Sequence, residues 1–510
     1  MTDYDVVVCG LGPVGQLLSL LLGDLGVRTL AIDRAGDVYA LPRAAVIDDE
    51  VLRIFQSAGV DRAVLRGCQV QEKASIVSAA GRAVEVFSAR TGALGHPPLV
   101  SIHQPTMERE LLGALALRPS VEVRRATELD GFAQRGLRVE VGLRPAGGGE
   151  PSTVSAKFLI GCDGAASAVR TRLQIPFEGT TASQRWVVVD ATVDRPLRKA
   201  PHPHFVGDAA RPAVTLPMSP GRHRWEWMVH PGEDPAPLLA DSALRAAIEP
   251  WRDGETVQIE RAVVYTFHTR TAQRWRVGRV LLVGDAAHLM PPFAGQGFSS
   301  GARDAVNLAW KLRALLEGAP DGLLDSYETE RRAHVAAMQR TANLMGGLVQ
   351  ATNPVAVRVR DLFLHGIDGT RAQRWMSSHV KPLPRYGAGA FAVAPPRFAR
   401  RRGVGTLFPQ SGRGDDQLGT GWSAVAIDAA AASELRAAGL RVVDPGADAA
   451  WLRARGCTWA LLRPDRFVFA CGRAGQSREA VAQWRALAPG SERSDLTGPL
   501  AVVPNPSQGC

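Results

Sequence analysis

The sequence predicts an α/β protein with more than one domain, and three observations support this prediction. A strand-like run, a glycine-rich turn and an amphipathic helix open the chain. A long central stretch reads as short strands separated by Pro/Gly turns, and strand-like and helix-like segments alternate near the C-terminus. With 510 residues, the chain is too long for one ordinary hydrophobic core, so we expect two or three domains.

The composition is that of a globular protein, with 45% hydrophobic and 22% charged residues. The net charge of +10 comes mainly from scattered arginines, and no basic stripe indicates nucleic-acid binding. The six cysteines form neither a C-x-x-C pair nor a Cys/His cluster, so we expect no metal site, no disulfide framework and a reducing cytoplasm. The apolar run LLSLLLGDLGV is too short to span a membrane, and the strand-like N-terminus is unlike a signal peptide.

The first predicted unit is a strand, a turn, a helix and a second strand. YDVVVC over residues 4–9 predicts a buried parallel strand, QLLSLLLGDLG predicts a helix that ends near Gly26, and VRTLAID predicts the next strand. The turn between the first strand and the helix reads GLGPVG. This order is the pattern of a Rossmann-like dinucleotide-binding domain.

Each conspicuous residue of this unit has an expected role. Gly10 permits the tight turn, Gly12 lets a pyrophosphate approach the backbone, and Gly15 lets the helix pack closely on the strand. Asp33 ends the second strand, where an acidic residue binds ribose hydroxyls, and Arg34 follows it. Since the motif occurs once, the sequence predicts one tightly held dinucleotide.

The remaining segments are predicted in order along the chain. VEVRRATELDGFAQRGLRVEVGL alternates as antiparallel strands do, and AKFLIGCDG predicts a buried strand. WVVVDATV, HFVG, AVTLP and RHRWEWMV predict an inserted, mostly antiparallel sheet. RVLLVGD and the amphipathic GFSSGARDAVNLAWKLRALLEG return to a strand and a long helix, and an Arg/Pro-rich linker precedes a small C-terminal α/β domain. The predicted boundaries are 1–180 and 271–385 for the two parts of the Rossmann-like domain, 181–270 for the inserted sheet and 386–510 for the C-terminal domain.

Two further motifs are CDGAASAVR over residues 162–170 and GDAAHLMPPFAGQGFSSG over residues 284–301. In the second motif, a strand ends at Asp285, two prolines follow, and a Gly-Gln-Gly precedes a helix that starts near Phe298. An Asp at a strand end either binds a cofactor hydroxyl or caps a helix, and the residues alone leave both open. The rigid, side-chain-poor backbone indicates that something large lies against this stretch.

Together, these motifs resemble those of the single-component, FAD-dependent aromatic hydroxylases, the class A flavoprotein monooxygenases. The resemblance covers nearly the whole chain and is greatest to the 3-(3-hydroxyphenyl)propionate hydroxylase type, with segments like PRAAVIDDE, VYTFHTR and RPDRFV. It implies tight noncovalent FAD, NADPH or NADH as transient reductant, and hydroxylation of an electron-rich aromatic substrate by molecular oxygen through a C4a-hydroperoxyflavin. It also implies that the C-terminal domain is thioredoxin-like, without redox cysteines because C-x-x-C is absent.

The resemblance assigns residues to the cofactor site. Asp285 would bind the ribityl chain, and Asp163 and Arg170 would support the pyrophosphate region. The backbone amides around Gln296 and the positive end of the following helix would face the pyrimidine edge of the flavin. The predicted FAD contacts are Gly10, Gly12, Gly15, Asp33, Arg34, Arg43, Gln104, Asp163, Arg170, Asp285, Gly295, Gln296, Gly297 and Phe298. Relatives often carry Asn where this chain has Ser299.

The substrate side is less specified. Pro291 and Pro292 are expected to wall the flavin, and His268 is the candidate to activate a phenol, ahead of Tyr265 and His223. Phe205, Trp225 and Trp227 are candidate substrate contacts, although both tryptophans fall on one strand face and would equally suit a core.

Several alternatives remain open at the level of sequence. The W-x-W segment also resembles a flavin-dependent halogenase motif, but no lysine lies in a matching early segment. Baeyer–Villiger oxidation or epoxidation on the same fold stays open, as does a non-catalytic protein that binds flavin or an aromatic compound. The sequence does not fix the substrate, the choice between NADPH and NADH, or whether the chain forms a homo-oligomer.

Overall fold

A computed structural model of the chain describes residues 3–78, 80–88, 94–379, 381, 385–392 and 403–488. Its strands are β1 (Tyr4–Cys9), β2 (Thr29–Ile32), β3 (Val46–Asp48), β4 (Gln69–Val70), β5 (Lys73–Ser78), β6 (Ala83–Ser88), β7 (Leu99–Ser101), β8 (Val121–Arg124), β9 (Thr127–Arg135), β10 (Arg138–Pro145), β11 (Ser152–Gly161), β12 (Phe177–Val193), β13 (His204–Gly207), β14 (Ala213–Pro217), β15 (Arg222–Val229), β16 (Val257–Ala272), β17 (Arg276–Val277), β18 (Val280–Leu282), β19 (His288–Leu289), β20 (Ser423–Ala426), β21 (Arg441–Val443), β22 (Trp459–Leu462) and β23 (Val468–Gly472). Its helices are α1 (Pro13–Asp24), α2 (Asp49–Ser57), α3 (Asp61–Arg66), α4 (Gln104–Leu115), α5 (Ala168–Arg172), α6 (Asp241–Ile248), α7 (Gly297–Leu316), α8 (Asp325–Val349), α9 (Pro354–Ile367), α10 (Arg371–His379), α11 (Ala429–Ala437), α12 (Ala449–Ala454) and α13 (Ser477–Leu487).

The first sheet has the order β17-β18-β11-β1-β2-β8, and β10 and β9 continue it from β11. The predicted β1-α1-β2 unit is confirmed, with parallel pairing of β1 to β2 and to β11. Helix α1 packs against α7, so the turn before α1 and the start of α7 belong to one packed unit. The carboxyl ends of β1, β2 and β11 therefore meet the site region, as expected for this sheet type.

The alternating stretch after residue 120 contains one correction. Strands β9 and β10 pair antiparallel as predicted, but β8 pairs parallel with β2. Strand β8 is the edge strand of the sheet and none of its four residues is fully buried, so its short sequence does not show whether the pairing is parallel or antiparallel.

The second sheet has the order β19-β16-β12-β15-β14-β13-β5-β6. Its pairings are antiparallel except that of β13 with β5, so the predicted mostly antiparallel sheet is confirmed. One face of this sheet packs on α6, and the other faces the loop that carries Phe293. Strands β5 and β6 come from far earlier in the chain, and no local pattern indicates that they join this sheet.

The C-terminal part forms a small sheet in the order β21-β20-β22-β23, with β20 and β21 parallel and the other pairs antiparallel. Trp459, Phe469 and Trp484 are buried in its core. This part is tied to the rest of the chain by the buried ion pairs Arg53–Asp415 at 2.7 Å and Arg463–Glu330 at 2.8 Å. Its thioredoxin-like character stays a prediction. Within the described ranges, no helix is both long and apolar enough to cross a bilayer.

Candidate active site

The glycine turn between β1 and α1 is closed toward the protein and open on its other side. Gly10 has a φ of +100°, and a Cβ atom there would lie 2.5 Å from the carbonyl oxygen of Cys162. A Cβ atom on Gly15 would lie 1.9 Å from the carbonyl oxygen of Gly10. A Cβ atom on Gly12 would meet nothing within 4 Å. The turn therefore leaves room for a ligand at Gly12, where the N-terminus of α1 favours an anion.

Asp33 holds this turn in place. Its carboxylate accepts hydrogen bonds from the backbone N–H of Leu11 at 2.6 Å and of Ala35 at 2.8 Å. The residue is half-buried, and each carboxylate oxygen keeps further lone-pair capacity for a ribose hydroxyl. Arg34 is exposed beside it.

Gln104 is buried and positions the loop that contains Arg43. Its side-chain oxygen accepts hydrogen bonds from the backbone N–H of Arg43 at 3.0 Å and of Ala44 at 2.7 Å, and its amide donates to Glu108 at 2.6 Å. The guanidinium of Arg43 is exposed and lies 5.1 Å from the ring centre of Tyr39. Gln104 therefore fixes the backbone of this loop, whereas the exposed side chain of Arg43 is free to reach a ligand.

Arg170 joins the second and third motifs. Its guanidinium donates to the backbone oxygen of Ala286 at 2.9 Å and of Ala165 at 2.7 Å, and it stacks 3.9 Å from the ring centre of Phe177. Asp163 accepts a hydrogen bond from the backbone N–H of Val169 at 3.0 Å, while its other carboxylate oxygen is buried without a partner among the described residues. These contacts fix the loop of Asp285 relative to the first sheet.

Asp285 projects into the cleft without a partner in the described parts of the chain. It follows Gly284, whose φ of +64° makes the turn, and its carboxylate caps no described helix. The side chain is exposed at its surface, although neighbouring elements surround it on its other sides. The resulting desolvation raises its pKa, against the lowering influence of His288 and Arg43. Of the two open alternatives, the structure therefore favours a ligand contact over a helix cap.

Asp304, on α7, supports this turn from below, and the sequence reading missed it. One of its carboxylate oxygens accepts from the backbone N–H of Gly284 at 3.1 Å and lies 2.7 Å from Nε2 of His288. The other accepts from Arg331 at 2.8 Å. Burial alone would raise the pKa of Asp304, but His288 and Arg331 hold it below its ordinary value. A charged, fully bonded carboxylate thus fixes the Gly284 turn.

The start of α7 presents unpaired backbone donors. Gly295 has a φ of +61°, and a Cβ atom there would lie 2.4 Å from Val46. The N–H groups of Gly297, Phe298 and Ser299 make no hydrogen bond to the described residues. A Cβ atom on Gly297 would meet nothing within 4 Å. This helix end can therefore receive an anionic edge of a ligand.

The side chain of Gln296 belongs to a buried charge network rather than to the cleft. Its amide donates to Asp48 at 3.2 Å, and its oxygen accepts from Arg303 at 2.9 Å. Arg303 also bonds Asp48 at 2.6 Å and Glu50 at 2.7 Å, and Lys381 lies 2.8 Å from Asp48. Only the backbone of Gln296 is therefore available to a ligand.

The residues around this helix end divide between core and cleft. Pro291 is buried and Pro292 is exposed. Phe298 packs against Phe55, with ring centres 6.2 Å apart. The hydroxyl of Ser299 is buried and has no partner among the described residues.

A sheet–loop cluster of apolar side chains lies between the second sheet, α8 and the loop after Pro291. Phe293 is its centre, 5.5 Å from the ring of Trp186 and 5.6 Å from the ring of Phe267. Phe205 is partly buried at its edge, and its role as a substrate contact stays a prediction. Its buried members are Trp186, Val214, Leu216, Met218, Met228, Phe293 and Val349.

The structure does not bring the other substrate candidates to this cluster. Trp225 and Trp227 are buried on the opposite face of β15, in the apolar cluster that includes Leu244 and Ile248 of α6. A role in the core explains them, because successive residues of a strand point to opposite faces.

Of the three titratable candidates, Tyr265 lies on the same strand face as Trp186, and its hydroxyl accepts a hydrogen bond from Arg261 at 2.6 Å, whereas the two histidines lie elsewhere. His223 is buried beside Trp225 with Nε2 2.7 Å from the hydroxyl of Thr215, and burial lowers its pKa to about 3. His268 lies on the opposite side of β16 from Phe267, where Nδ1 is 3.0 Å from the hydroxyl of Thr181. The placement of both histidines does not support activation of a substrate in the sheet–loop cluster.

Three features fit a bound FAD. The space at Gly12 would take a pyrophosphate, the unpartnered carboxylate of Asp285 would accept a hydrogen bond from a ribityl hydroxyl, and the unpaired N–H groups at the start of α7 would take the polar edge of the isoalloxazine. The three features lie close together, because a Cβ atom on Gly284 would lie 3.3 Å from the side chain of Val14 in α1, and one on Gly301 in α7 would lie 2.5 Å from it. Phe293 of the sheet–loop cluster lies four residues before the first residue of α7.

Comparisons with known proteins agree with this geometry. The FAD binding domain family model matches residues 3–342. A 3-(3-hydroxy-phenyl)propionate/3-hydroxycinnamic acid hydroxylase of Mycolicibacterium smegmatis is 34% identical and is matched over 99% of this chain and 97% of its own length. The protein of the same description from Escherichia coli O8 is 36% identical, over 80% of this chain and 74% of its own.

Solved structures show the same architecture. OxyS anhydrotetracycline hydroxylase from Streptomyces rimosus superposes with a TM-score of 0.75 at 25% identity, over 95% of this chain and 99% of its own. Aklavinone-11 hydroxylase, solved with FAD and aklavinone, has a TM-score of 0.76 at 23% identity, over 96% of this chain and 99% of its own, and this similarity supports the fold. The chain belongs to the FAD-binding-domain family and, within it, to the FAD-dependent aromatic hydroxylases.

Proposed function

We propose that the chain uses NAD(P)H and molecular oxygen to hydroxylate a phenolic or other electron-rich aromatic compound. The observation that supports this proposal is that the residues suited to bind FAD lie next to the sheet–loop cluster. A cleft with the donors and acceptor that FAD requires opens beside the sheet–loop cluster, whose aromatic and aliphatic side chains suit a small ring. The names of the relatives, which are hydroxylases of phenolic acids, point to the same substrate class.

When bound, FAD would supply the hydride acceptor and the oxygen activation that side chains lack. The protein's residues would do the rest. The glycine turn would hold the pyrophosphate, and Asp285 would fix the ribityl chain. The N-terminus of α7 would stabilise negative charge on the ring by up to about 2 kcal/mol in a partly buried geometry.

The sheet–loop cluster would exclude water from the reacting atoms and orient the aromatic ring. Phe293 sits between the start of α7 and the rings of Trp186 and Phe267, so an aromatic substrate placed against it would lie within reach of the cofactor edge. A reducing cytoplasm, where NAD(P)H is regenerated, is the proposed location, and sizing chromatography would show whether the chain forms a homo-oligomer.

The test is a screen of the purified, FAD-loaded protein with phenols. The panel would include 3-(3-hydroxyphenyl)propanoate, 3-hydroxycinnamate and larger phenols, each with NADPH and with NADH. We expect at least one phenol to stimulate NAD(P)H oxidation and to yield a product with an added hydroxyl on a ring carbon, labelled when ¹⁸O₂ is supplied.

Two results would count against the proposal. Oxygen inserted into a C–C bond or across a double bond would indicate Baeyer–Villiger oxidation or epoxidation instead. Binding of FAD and phenols without any turnover would indicate a non-catalytic protein.

A further inference from the structure

Glu226 is a buried carboxyl group that the protein leaves without a hydrogen bond. It lies in the middle of β15, only 8% exposed, and its side chain keeps 11% of its surface accessible. The nearest cationic atom is a guanidinium nitrogen of Arg224, 3.9 Å away, and no donor in the described residues bonds to the carboxyl. A buried polar group in this state is costly unless a ligand supplies the missing partner.

The charges around Glu226 are already paired with one another. Arg224 bonds Asp190 at 2.6 Å and donates to the backbone oxygens of Pro42 at 2.8 Å and Arg43 at 3.0 Å. These contacts use both ends of the Arg224 guanidinium, so it cannot also turn to Glu226.

Arg261 is held in a similar way. It donates to the backbone oxygen of Pro42 at 2.7 Å and to the hydroxyl of Tyr265 at 2.6 Å. Arg224 and the terminal nitrogens of Arg261 therefore hold the loop of residues 42–43 and Tyr265, whereas Nε of Arg261 is buried without a partner among the described residues. Neither arginine donates a hydrogen bond to Glu226.

The position of Glu226 is between the sheet–loop cluster and the cofactor cleft. Met228, two residues along the same face, belongs to the cluster, and the strand partner Val214 belongs to it as well. On the other side, Arg224 holds the loop of Arg43, whose charge acts on Asp285. The carboxyl thus borders the space where the aromatic ring is expected.

The surroundings decide which chemistry this carboxyl would recognise. The walls are apolar, and Arg224 and Arg261 are hydrogen-bonded to other groups, so a substrate carboxylate placed beside Glu226 would face a like charge at close range. A neutral hydroxyl on the ring supplies the one donor that is missing. This reasoning rests on the proposed function, because it takes the aromatic substrate to bind in the sheet–loop cluster.

We propose that Glu226 binds the phenolic hydroxyl of the substrate and acts as its proton acceptor. The O–H bond of the phenol breaks, its electron pair stays on the phenolic oxygen, and the proton forms a new O–H bond on the carboxylate of Glu226. The more electron-rich ring oxygen then activates the ring toward an electrophilic oxygen. Glu226 thereby selects ring-hydroxylated substrates over ring ethers.

The electrostatics raise the pKa of Glu226 above that of an ordinary glutamate. Burial raises the pKa of Glu226 above its ordinary value, Asp190 raises it further, and Arg224 and Arg261 lower it. The titratable and charged groups that face Glu226 are Asp190 of β12, Arg224 of β15, and Arg261 and Tyr265 of β16, while Val214 and Leu216 of β14 are apolar. We therefore expect the hydroxylation rate to rise with pH. The midpoint of this ascending pH limb should lie at a higher pH than an ordinary glutamate would give.

The experiment compares Glu226→Gln with Glu260→Gln, the same substitution at an exposed residue of β16, which β12 separates from β15. Both would be purified as FAD-loaded protein and checked for FAD content and Tm. The substrate is a phenol that the wild type hydroxylates, with its O-methyl ether as the probe that lacks the donor. We expect Glu226→Gln to lose hydroxylation by about 100-fold or more, the lower end of what a positioned general base contributes. Glu260→Gln should keep the wild-type rate.

Three further readouts distinguish this role from mere support of the fold. In Glu226→Gln, the ascending pH limb should disappear while KM for the phenol changes little, since the amide oxygen still accepts a hydrogen bond. Glu226→Asp should restore part of the rate and the limb. In the wild type, the phenol should bind more tightly than its methyl ether, and in Glu226→Leu this preference should vanish.

The proposal is overturned if Glu226→Gln, with normal FAD content, keeps the wild-type rate and pH limb. It is also overturned if the wild type binds the methyl ether as tightly as the phenol, and this measurement does not depend on the folding of any variant. Failure of the proposed function looks different, because the FAD-loaded wild type would then hydroxylate no phenol at all.

Discussion

Alanine substitutions at Gly12 and Gly15 distinguish a glycine that leaves room for a ligand from a glycine that is needed for packing in the same turn. Gly12→Ala adds a methyl group where nothing lies within 4 Å, and its backbone φ of −67° and ψ of −179° suit alanine. Gly15→Ala places a methyl group 1.9 Å from the carbonyl oxygen of Gly10. If the space at Gly12 is where the FAD pyrophosphate lies, only the second change should damage the FAD-free protein, and both should weaken FAD binding.

The magnitudes follow from the structure. At Gly12, alanine loses a little as a helix N-cap and gains a little through a less flexible unfolded chain, so the free energy of unfolding should change by less than about 0.5–1 kcal/mol. The methyl group would push the phosphate away from the backbone donors, and each lost charge-assisted hydrogen bond is worth about 1.5–3 kcal/mol, or about 10- to 100-fold in Kd. At Gly15, a backbone shift of more than an ångström should cost at least about 1–3 kcal/mol of stability.

The assay measures stability on FAD-free protein, because bound FAD would itself raise the apparent stability. Urea unfolding gives the free energy of unfolding, and quenching of FAD fluorescence gives Kd. The control is Gly113→Ala in α4, at a helical glycine with nothing within 4 Å, where alanine should stabilise the helix by up to about 1 kcal/mol and leave FAD binding unchanged. Wild-type FAD affinity in Gly12→Ala would refute the placement of the pyrophosphate.

Three further expectations concern the cleft, the sheet and the C-terminal contact. Asp285→Ala should weaken FAD binding by about 1.5–3 kcal/mol in calorimetric titration. The Tm of the FAD-free protein should not change, because the carboxylate bonds no described residue. A lowered Tm would show that Asp285 has a structural partner. Trp225→Ala should lower the free energy of unfolding, measured in urea, by about 3–5 kcal/mol without raising KM. Phe205→Ala should instead raise KM for the aromatic substrate. The reverse pattern would contradict the assignment of the two sheet faces. Despite burial, Arg463 and Lys311 hold the pKa of Glu330 at about 2, so this carboxylate contributes stability that is present above its unfolded pKa near 4.5 and is lost as pH falls toward 2. Glu330→Gln should therefore be less stable at neutral pH but less sensitive to acid over that window, and an unchanged acid profile would count against the ion pair.

Local pattern was sufficient for the elements that contact their sequence neighbours. Residues 4–33 contain the whole β1-α1-β2 unit, so Gly10, Gly12 and Gly15 could be assigned from spacing and then found in the expected geometry. The long helix after residue 296 was likewise visible, because its apolar residues recur at helical spacing. In both places a short stretch determines its own structure.

Contacts between distant residues could not be read in this way. Arg303 meets Asp48 and Glu50 across some 250 positions, and nothing local marks the three as partners or shows that Gln296 joins them. The alternation in β15 showed that Trp225 and Trp227 share a face, but the pairing with β12 and β14 decides which face meets α6. The sequence therefore left open whether the two tryptophans line a substrate site or a core, and the structure places them in a core with α6.

The same choice concealed Glu226. It alternates with the tryptophans in RHRWEWMV, so it lies on the opposite face, toward the sheet–loop cluster. A charged residue between two buried apolar neighbours of a central strand is the signal that could have revealed it, because such a residue is rarely buried without a reason.

A crystal structure of the protein with FAD and a phenolic substrate tests the central claim most directly. We expect the pyrophosphate over Gly12, a ribityl hydroxyl hydrogen-bonded to Asp285, and the polar edge of the isoalloxazine at the first N–H groups of α7. The aromatic ring should lie against Phe293, with its hydroxyl at hydrogen-bond distance from Glu226. An FAD bound away from Gly12 and Asp285, or an aromatic ring on the α6 face of the second sheet, would contradict it.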